Sequence, residues 1–378
     1  MKPGLLITMR DMAGAAHLAE VIRALARDSR FEVRVAAQMP ASEFLTRMGI
    51  AHRRIELPPA RETGSTAAAD LLACARRLLA EAPTDAVLVG LSTPFDGGID
   101  EAVLAEARVP TFLLQDFWGE RNAFFGRGAD LYFVLDETAQ RRNAVRFGVE
   151  SVIVGSARHS AYATRDFVAI RQAKRRSLGI DQHADVIGYF GQALQHMAGY
   201  HRTVAALIEA VERMPRKVTV LLRMHPRETS DHFQSTARLF AQSRFRTVAA
   251  NEGPVDDCLA ACDVVCSLFS NCTYDASFQN FYSPAPLLVP VSMLFDPEIV
   301  AYCRERVDLE ALPIHASKLV VPVYERTSLG EVLETSFDPG FRNQVWSRAR
   351  SQLADPALSC SRLIDGIFAK LRRPQPCQ

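Results

Sequence analysis

Residues 4–28 read GLLITMRDMAGAAHLAEVIRALARD. The opening run, Gly4 to Thr8, is apolar and too short for a helix. Beyond Gly14, apolar residues return as Leu18, Val21, Ile22 and Leu25, the stepping of one helical face. The stretch is therefore a strand at 4–8, a short turn, and a helix over 14–28. Such a unit decides the fold only if it recurs, and it does. In the first half, further strands are predicted at 31–36, 86–91, 110–114, 130–135 and 151–154. Helical patterns fill the gaps at 41–48, 66–82, 99–107 and 137–147. Strands alternating with helices predict an α/β chain with a parallel, doubly wound sheet.

The second half repeats the pattern. Strands are predicted at 185–190, 217–223, 245–249, 262–267, 286–291 and 319–323, with helices at 200–213, 230–243, 254–261, 273–280 and 297–305. Residues 155–180 are polar and basic and show no strand pattern, so they read as a linker with an entry helix. The expected organisation is a Rossmann-like domain over 1–160, a linker at 161–180, a second Rossmann-like domain over 181–340, and C-terminal helices and tail over 341–378. The segment 57–69, with its prolines and small residues, is expected to be a mobile loop near a ligand.

A length of 378 residues suits two or three domains, at roughly 150 residues each. With 48% hydrophobic and 23% charged residues the chain can bury sizeable cores. A net charge of +1 gives no overall field that would draw nucleic acid or anionic lipid. The apolar N-terminal run is too short for a secretory signal core, and the longest apolar stretch, 285–295, is cut by Pro286 and Pro290. A cytoplasmic protein without a transmembrane anchor is expected. Four of the eight cysteines, Cys258, Cys262, Cys266 and Cys272, crowd together in a spacing that fits no common zinc template. They read as small apolar core residues, and no metal site or cofactor is expected.

In open parallel sheets ligands bind beyond the carboxyl ends of the strands, so the chemistry is sought in the turns that follow them. After the first strand, Gly14 would let a ligand approach the backbone, and His17 is expected in the first turn of the helix, facing the cleft. After strand 86–91 comes Asp96, and after strand 110–114 come Asp116 and Trp118. Either aspartate can serve as general base to an acceptor hydroxyl, or both are turn and cap residues. His17 is favoured over Asp96 as the base, because its ordinary pKa near ~6.5 lies closer to neutrality. Gly14 and Trp118 are expected to line the acceptor loop.

In the second half, Gly191-Gln192 ends a strand with a glycine turn. Arg223 and His225 alternate onto one side of the next strand end, and Pro226 stops that strand. A guanidinium and an imidazole together suit a diphosphate leaving group. A third turn carries Ser270, Asn271 and Thr273 at a helix start, a natural phosphate seat, and Asp275, a turn into that helix, is in reach of a ribose hydroxyl.

These pieces in this order resemble the GT-B glycosyltransferases, most specifically in 129–162 and in the C-terminal half. The run Arg223-Met224-His225-Pro226, then Asp263-Val264-Val265 and Phe269-Ser270-Asn271-Cys272-Thr273-Tyr274-Asp275, is similar to the CDP-glycerol glycerophosphotransferase and polysialyltransferase group. There a His-Pro pair and a Ser-Ser/Thr turn bind the donor's phosphate. Here His225-Pro226 match, Ser270 matches, and Asn271 stands for the second serine. The first domain also resembles, more loosely, the cell-wall enzyme that adds GlcNAc to lipid I, in the position of His17. The turns carrying Asp96 and Asp116 resemble those of the non-hydrolysing UDP-GlcNAc 2-epimerase, although its Gly-Gly helix start is absent from 268–276.

The resemblance implies a GT-B fold: two Rossmann-like domains whose parallel sheets face across a cleft, with a C-terminal helix crossing back. It implies an inverting transferase with a nucleotide-sugar donor and an acceptor that the sequence does not identify. Domain closure would exclude water. No Asp-x-Asp pair sits in a strand-end turn, so a metal-independent reaction is expected. Two alternatives stay open: a sugar-nucleotide 2-epimerase or hydrolase, and a non-catalytic nucleotide-sugar-binding module.

Overall fold

The computed structural model describes residues 2–225, 228–307 and 313–372. It divides into two compact units, Met1–Ala163 with Ala354–Gln378, and Thr164–Leu353.

The first unit is built on a seven-stranded sheet of β1 (Gly4–Met9), β2 (Glu32–Gln38), β3 (Arg53–Ile55), β4 (Ala86–Gly90), β5 (Thr111–Leu114), β6 (Leu131–Val134) and β7 (Ser151–Ile153). All neighbours pair in parallel, in the order β3-β2-β1-β4-β5-β6-β7. β1 is buried along its whole length. That is why its sequence is a continuous apolar run rather than an alternating one: helices cover both faces of a parallel sheet. The strand pattern misses β3, because Arg-Arg-Ile on a half-exposed edge carries no apolar run.

The C-terminal helix Ser359–Arg372 belongs to this unit, although about two hundred residues separate it from β7. Leu363, Ile364 and Ile367 enter the same core as Leu18 and Ile22, and Phe368 meets Phe31 edge-on at 5.8 Å. Each such buried aliphatic side chain contributes about 1.5–3 kcal/mol of transfer free energy.

The second unit repeats the design with six parallel strands: β8 (Asp185–Phe190), β9 (Val218–Arg223), β10 (Arg246–Ala249), β11 (Val264–Ser267), β12 (Val289–Met293) and β13 (Val321–Val323). Their order is β10-β9-β8-β11-β12-β13. The stretch read as a linker contains the helix Phe167–Ser177, which is an integral part of this unit. Its Arg171 and Arg175 both bond the buried Asp263 at the head of β11, the latter at 2.8 Å. Arg342 reaches the same carboxylate at 3.2 Å.

Cys258, Cys262 and Cys266 pack in the core of the second unit, and burial pushes the Cys266 thiol up to about 12. Cys377 lies outside the described residues. Among the described residues no helix is long and apolar enough to cross a membrane.

In both sheets the strand order reverses once, between β1 and β4 and between β8 and β11. Outside the carboxyl ends of strands flanking such a reversal, the loops diverge to opposite faces and leave a crevice. Each unit therefore has one place where its topology prepares a ligand site.

Candidate functional site

In the first unit the reversal is stitched by Asp11, whose carboxylate after β1 accepts the Thr93 N–H after β4 at 2.9 Å. Its neighbour Arg10 reaches the same turn, with Nη2 3.4 Å from the Thr93 carbonyl oxygen. Arg10 Nη1 donates to Asp96 Oδ1 at 2.6 Å, and Nη2 lies 3.9 Å from Glu101. The Arg10 side chain crosses Gly98 where a Cβ would stand, so only glycine admits it there. Beneath lie two further acids at the start of the helix Ile99–Glu106. Asp100 accepts the Thr8 hydroxyl at 2.6 Å, and Glu101 accepts the Ser92 hydroxyl and the Gly98 N–H. Burial pushes both carboxyls up, and Glu101 adds to the shift on Asp100.

The next strand end carries Asp116. The loop behind it is pinned: Gln115 Nε2 donates to the Glu120 carbonyl at 2.6 Å, and Arg146 donates to the Gly119 carbonyl at 2.9 Å. Asp116 and Glu120 both keep part of their surface exposed. Burial pushes Asp116 up to about 7, with Glu120 adding to the rise, and burial likewise brings Glu120 to about 7. Two carboxyls that exchange protons near neutrality, at the end of a central strand, can take a proton from a hydroxyl or return one.

Three expectations for this unit change. The helix begins at Met12, so His17 stands in its second turn. His17 is 6% exposed and meets the ring of His159 edge-on at 6.4 Å, so it packs inward rather than facing solvent. Gly14 admits not a ligand but a strand end: a Cβ there would stand 2.8 Å from the Leu91 carbonyl oxygen. Trp118 is 1% exposed and donates its indole N–H to Asp136 at 2.7 Å, so it anchors the loop instead of lining it.

In the second unit the reversal is stitched in the same manner. Gln192 Oε1 after β8 accepts the Phe269 N–H after β11 at 3.0 Å. Ser270 then caps the helix Asn271–Tyr282, accepting the Cys272 N–H at 3.2 Å. The Thr273 hydroxyl turns back to the Ser270 carbonyl at 2.9 Å. Asn271 is half-buried at the first turn, and Asp275 lies one turn into the helix, as expected, where it is 3% exposed.

After β9, the His225 N–H donates to Glu228 Oε2 at 3.2 Å, and the Glu228 N–H returns a bond to the His225 carbonyl at 2.9 Å. Glu228 Oε2 also lies 3.2 Å from the Cβ position of Gly191, so the glycine turn and the histidine turn pack on one carboxylate. Pro226 lies outside the described residues. Arg223 is engaged on the side of β10. Its guanidinium donates to the carbonyls of Ala250, Glu252 and Gly253 at 2.6, 3.2 and 2.8 Å and so holds the loop after β10. Among the described residues no cluster of acids, histidines and cysteines has the geometry of a metal site.

Arg10, Asp11, Glu120 and Glu228 were not singled out from the sequence. Arg10 and Asp11 lie in the first strand-end turn, and Glu120 lies four residues beyond Asp116, so position was the available signal.

No protein-family model matches the chain, and no curated protein sequence matches it. Solved structures do. The putative UDP-N-acetylglucosamine 2-epimerase from Listeria monocytogenes superposes with a TM-score of 0.69 at 14% identity, over 100% of this chain and 99% of that one. The UDP-GlcNAc 2-epimerase from Neisseria meningitidis, bound to UDP-GlcNAc, gives 0.68 at 13% over 97% and 100%. A glycosyltransferase from Rickettsia africae gives 0.64 at 9% over 99% and 100%. The likeness runs the full length of both partners and establishes the GT-B fold.

Proposed function

We propose that this chain is an enzyme acting on a nucleotide-activated sugar, and that it transfers the sugar to an acceptor hydroxyl with a carboxylate of the first unit as general base. The observation that carries the proposal is Asp116, held at a strand end with a pKa of about 7. A base poised there is a strong enough acceptor to take a hydroxyl proton as the new bond forms, yet it is already ionised in a substantial share of molecules near neutral pH. Asp116 takes over the role given to His17. Asp96, bound to Arg10, orients rather than abstracts.

The second unit is the nucleotide-holding half. The helix start at Ser270 and Asn271 offers backbone N–H groups and the positive end of a helix dipole to a diphosphate. His225, Gly191 and Gln192 belong to turns tied to it through Glu228 and Phe269. Solved structures of similar fold include enzymes named for UDP-sugars, which supports a nucleotide sugar as the donor class. No Asp-x-Asp pair lies in the strand-end turns, so the reaction is expected to run without a metal; a single direct displacement by the deprotonated hydroxyl would invert the sugar carbon.

Glu120 favours a second reading. Two carboxyls of matched pKa can remove a proton from one side of a sugar carbon and return it to the other, as a 2-epimerase requires. The experiment is thermal-shift screening with UDP-, GDP-, CMP-, CDP- and dTDP-sugars, followed by NMR of the stabilising compound. Release of free nucleotide only when a glycan acceptor is added supports transfer. An epimerised nucleotide sugar without acceptor supports the second reading. Stabilisation by none of the five classes rejects both.

A further inference from the structure

We infer that Asn122 is a positioning residue that joins the turn carrying Asp96 to the loop carrying Asp116 and Glu120, so that the acids keep one fixed arrangement; its meaning for catalysis rests on the transferase reading above. Asp96 follows β4 and Asp116 follows β5, and these strands are neighbours in one sheet. Pairing aligns the strands, but the turns beyond them are placed by what their own groups reach. The loop after β5 is fastened on its own side by three bonds: Gln115 to the Glu120 carbonyl, Arg146 to the Gly119 carbonyl, and the Trp118 indole to Asp136. None of these three touches the turn of Asp96.

Asn122 crosses between the two. Its Nδ2 donates to the Thr93 carbonyl at 2.7 Å and the Asp96 carbonyl at 2.9 Å, and its Oδ1 accepts the Phe124 N–H at 2.9 Å. The Phe124 ring then lies over Gly97, in the space a Cβ there would need. Two donors and one acceptor on a short stem are what a primary amide supplies. Leucine would fill the space without a donor, and aspartate would set a charge against two carbonyl oxygens. Asp96 is thereby fixed twice, at its carboxylate by Arg10 at 2.6 Å and at its carbonyl by Asn122. Asn122 is 1% exposed, so it acts through the acids rather than on a substrate. A hydroxyl oriented by Asp96 and deprotonated by Asp116 needs the two at a constant separation, because a misplacement of about 1 Å costs on the order of a hundredfold in rate.

The test needs no substrate to begin. The side-chain carboxyl carbon of Asp116 is followed by NMR in the full chain, its signal assigned by its loss in Asp116→Asn, and titrated in wild type and in Asn122→Ala. Freeing the loop admits water to the carboxyl, so Asn122→Ala is expected to lower its midpoint by at least about one pH unit toward the ordinary value near ~4. Asn122→Ser keeps one donor and is expected to fall between the two; it also decides the matter if the alanine variant does not fold. A folded variant whose Asp116 midpoint equals that of wild type overturns the inference, even if its melting temperature has dropped. With donor and acceptor identified, Asn122→Ala is further expected to lower kcat by about tenfold or more and leave KM for the nucleotide sugar within about threefold; an unchanged kcat also overturns it. Absence of turnover by wild type with every donor and acceptor overturns the transferase reading instead, and the titration still decides whether Asn122 holds the acids together.

Discussion

Arg10 and Asp96, separated by 86 positions in sequence, meet at 2.6 Å across the carboxyl ends of β1 and β4. Arg10 is 4% exposed and also faces Glu101, so it neutralises the buried end of the sheet. Arg10→Ala leaves acids without their counter-charge in a poorly hydrated place and should cost about 3–5 kcal/mol in denaturant unfolding. Arg10→Lys should recover only part, since one ammonium cannot span both partners. A loss within about 0.5 kcal/mol, the range of ordinary surface substitutions, would show that the pair is not integral to the fold.

Asp263 makes the corresponding prediction for the second unit. Burial raises its carboxyl, but Arg171, Arg175 and Arg342 more than offset this, and its pKa is held below the ordinary value. A carboxyl lowered on folding stabilises above its unfolded pKa near ~3.9 and loses that contribution as pH falls through the folded value. Asp263→Asn should therefore unfold at markedly lower denaturant at pH 7 and show a weaker acid limb than wild type below about pH 4. Parallel acid limbs would remove Asp263 from the account.

Most of the strand plan could be read from the sequence because the central parallel strands are buried, continuous apolar runs; the one strand with too little apolar character to be seen was β3, Arg53–Ile55, at a sheet edge. Asp96 and Asp116 could be singled out as candidates for a different reason, since topology places ligand chemistry in strand-end turns. Partnership was not legible. Nothing local in Arg10 points to Asp96, nothing in Trp118 to Asp136, and nothing in Arg223 to the carbonyls of the loop after β10. His17 was misplaced by the helix start: the helix begins at Met12 rather than 14, which moves His17 into the second turn.

The paired acids of the first unit give a stability signature of opposite sign. Asp116 and Glu120 have folded pKa values of about 7, above the unfolded values near ~4. The folded state binds their protons more tightly, so the contribution is full below pH ~4 and is lost as pH rises through about 7. Melting temperature should fall between pH 5 and pH 8 more in wild type than in the Asp116→Asn/Glu120→Gln variant. An identical fall in both would place the titration elsewhere.

Gly14 tests the helix contact. A Cβ at that position would stand 2.8 Å from the Leu91 carbonyl oxygen, against backbone that cannot swing aside. Gly14→Ala should cost about 1–3 kcal/mol despite the better helix propensity of alanine. A stabilised variant, by guanidinium titration, would show that the helix can shift away from β4.

The pH dependence of turnover is the most direct test of Asp116 as the base. With the nucleotide sugar and acceptor identified by screening, kcat/KM of wild type should rise with pH through an ionisation near about 7, as the carboxyl sheds its proton. Asp116→Asn should lower kcat by about 100-fold or more and remove that limb, while His17→Gln keeps kcat within about threefold. Near-normal turnover in Asp116→Asn with the limb intact, or collapse in His17→Gln alone, would contradict the account.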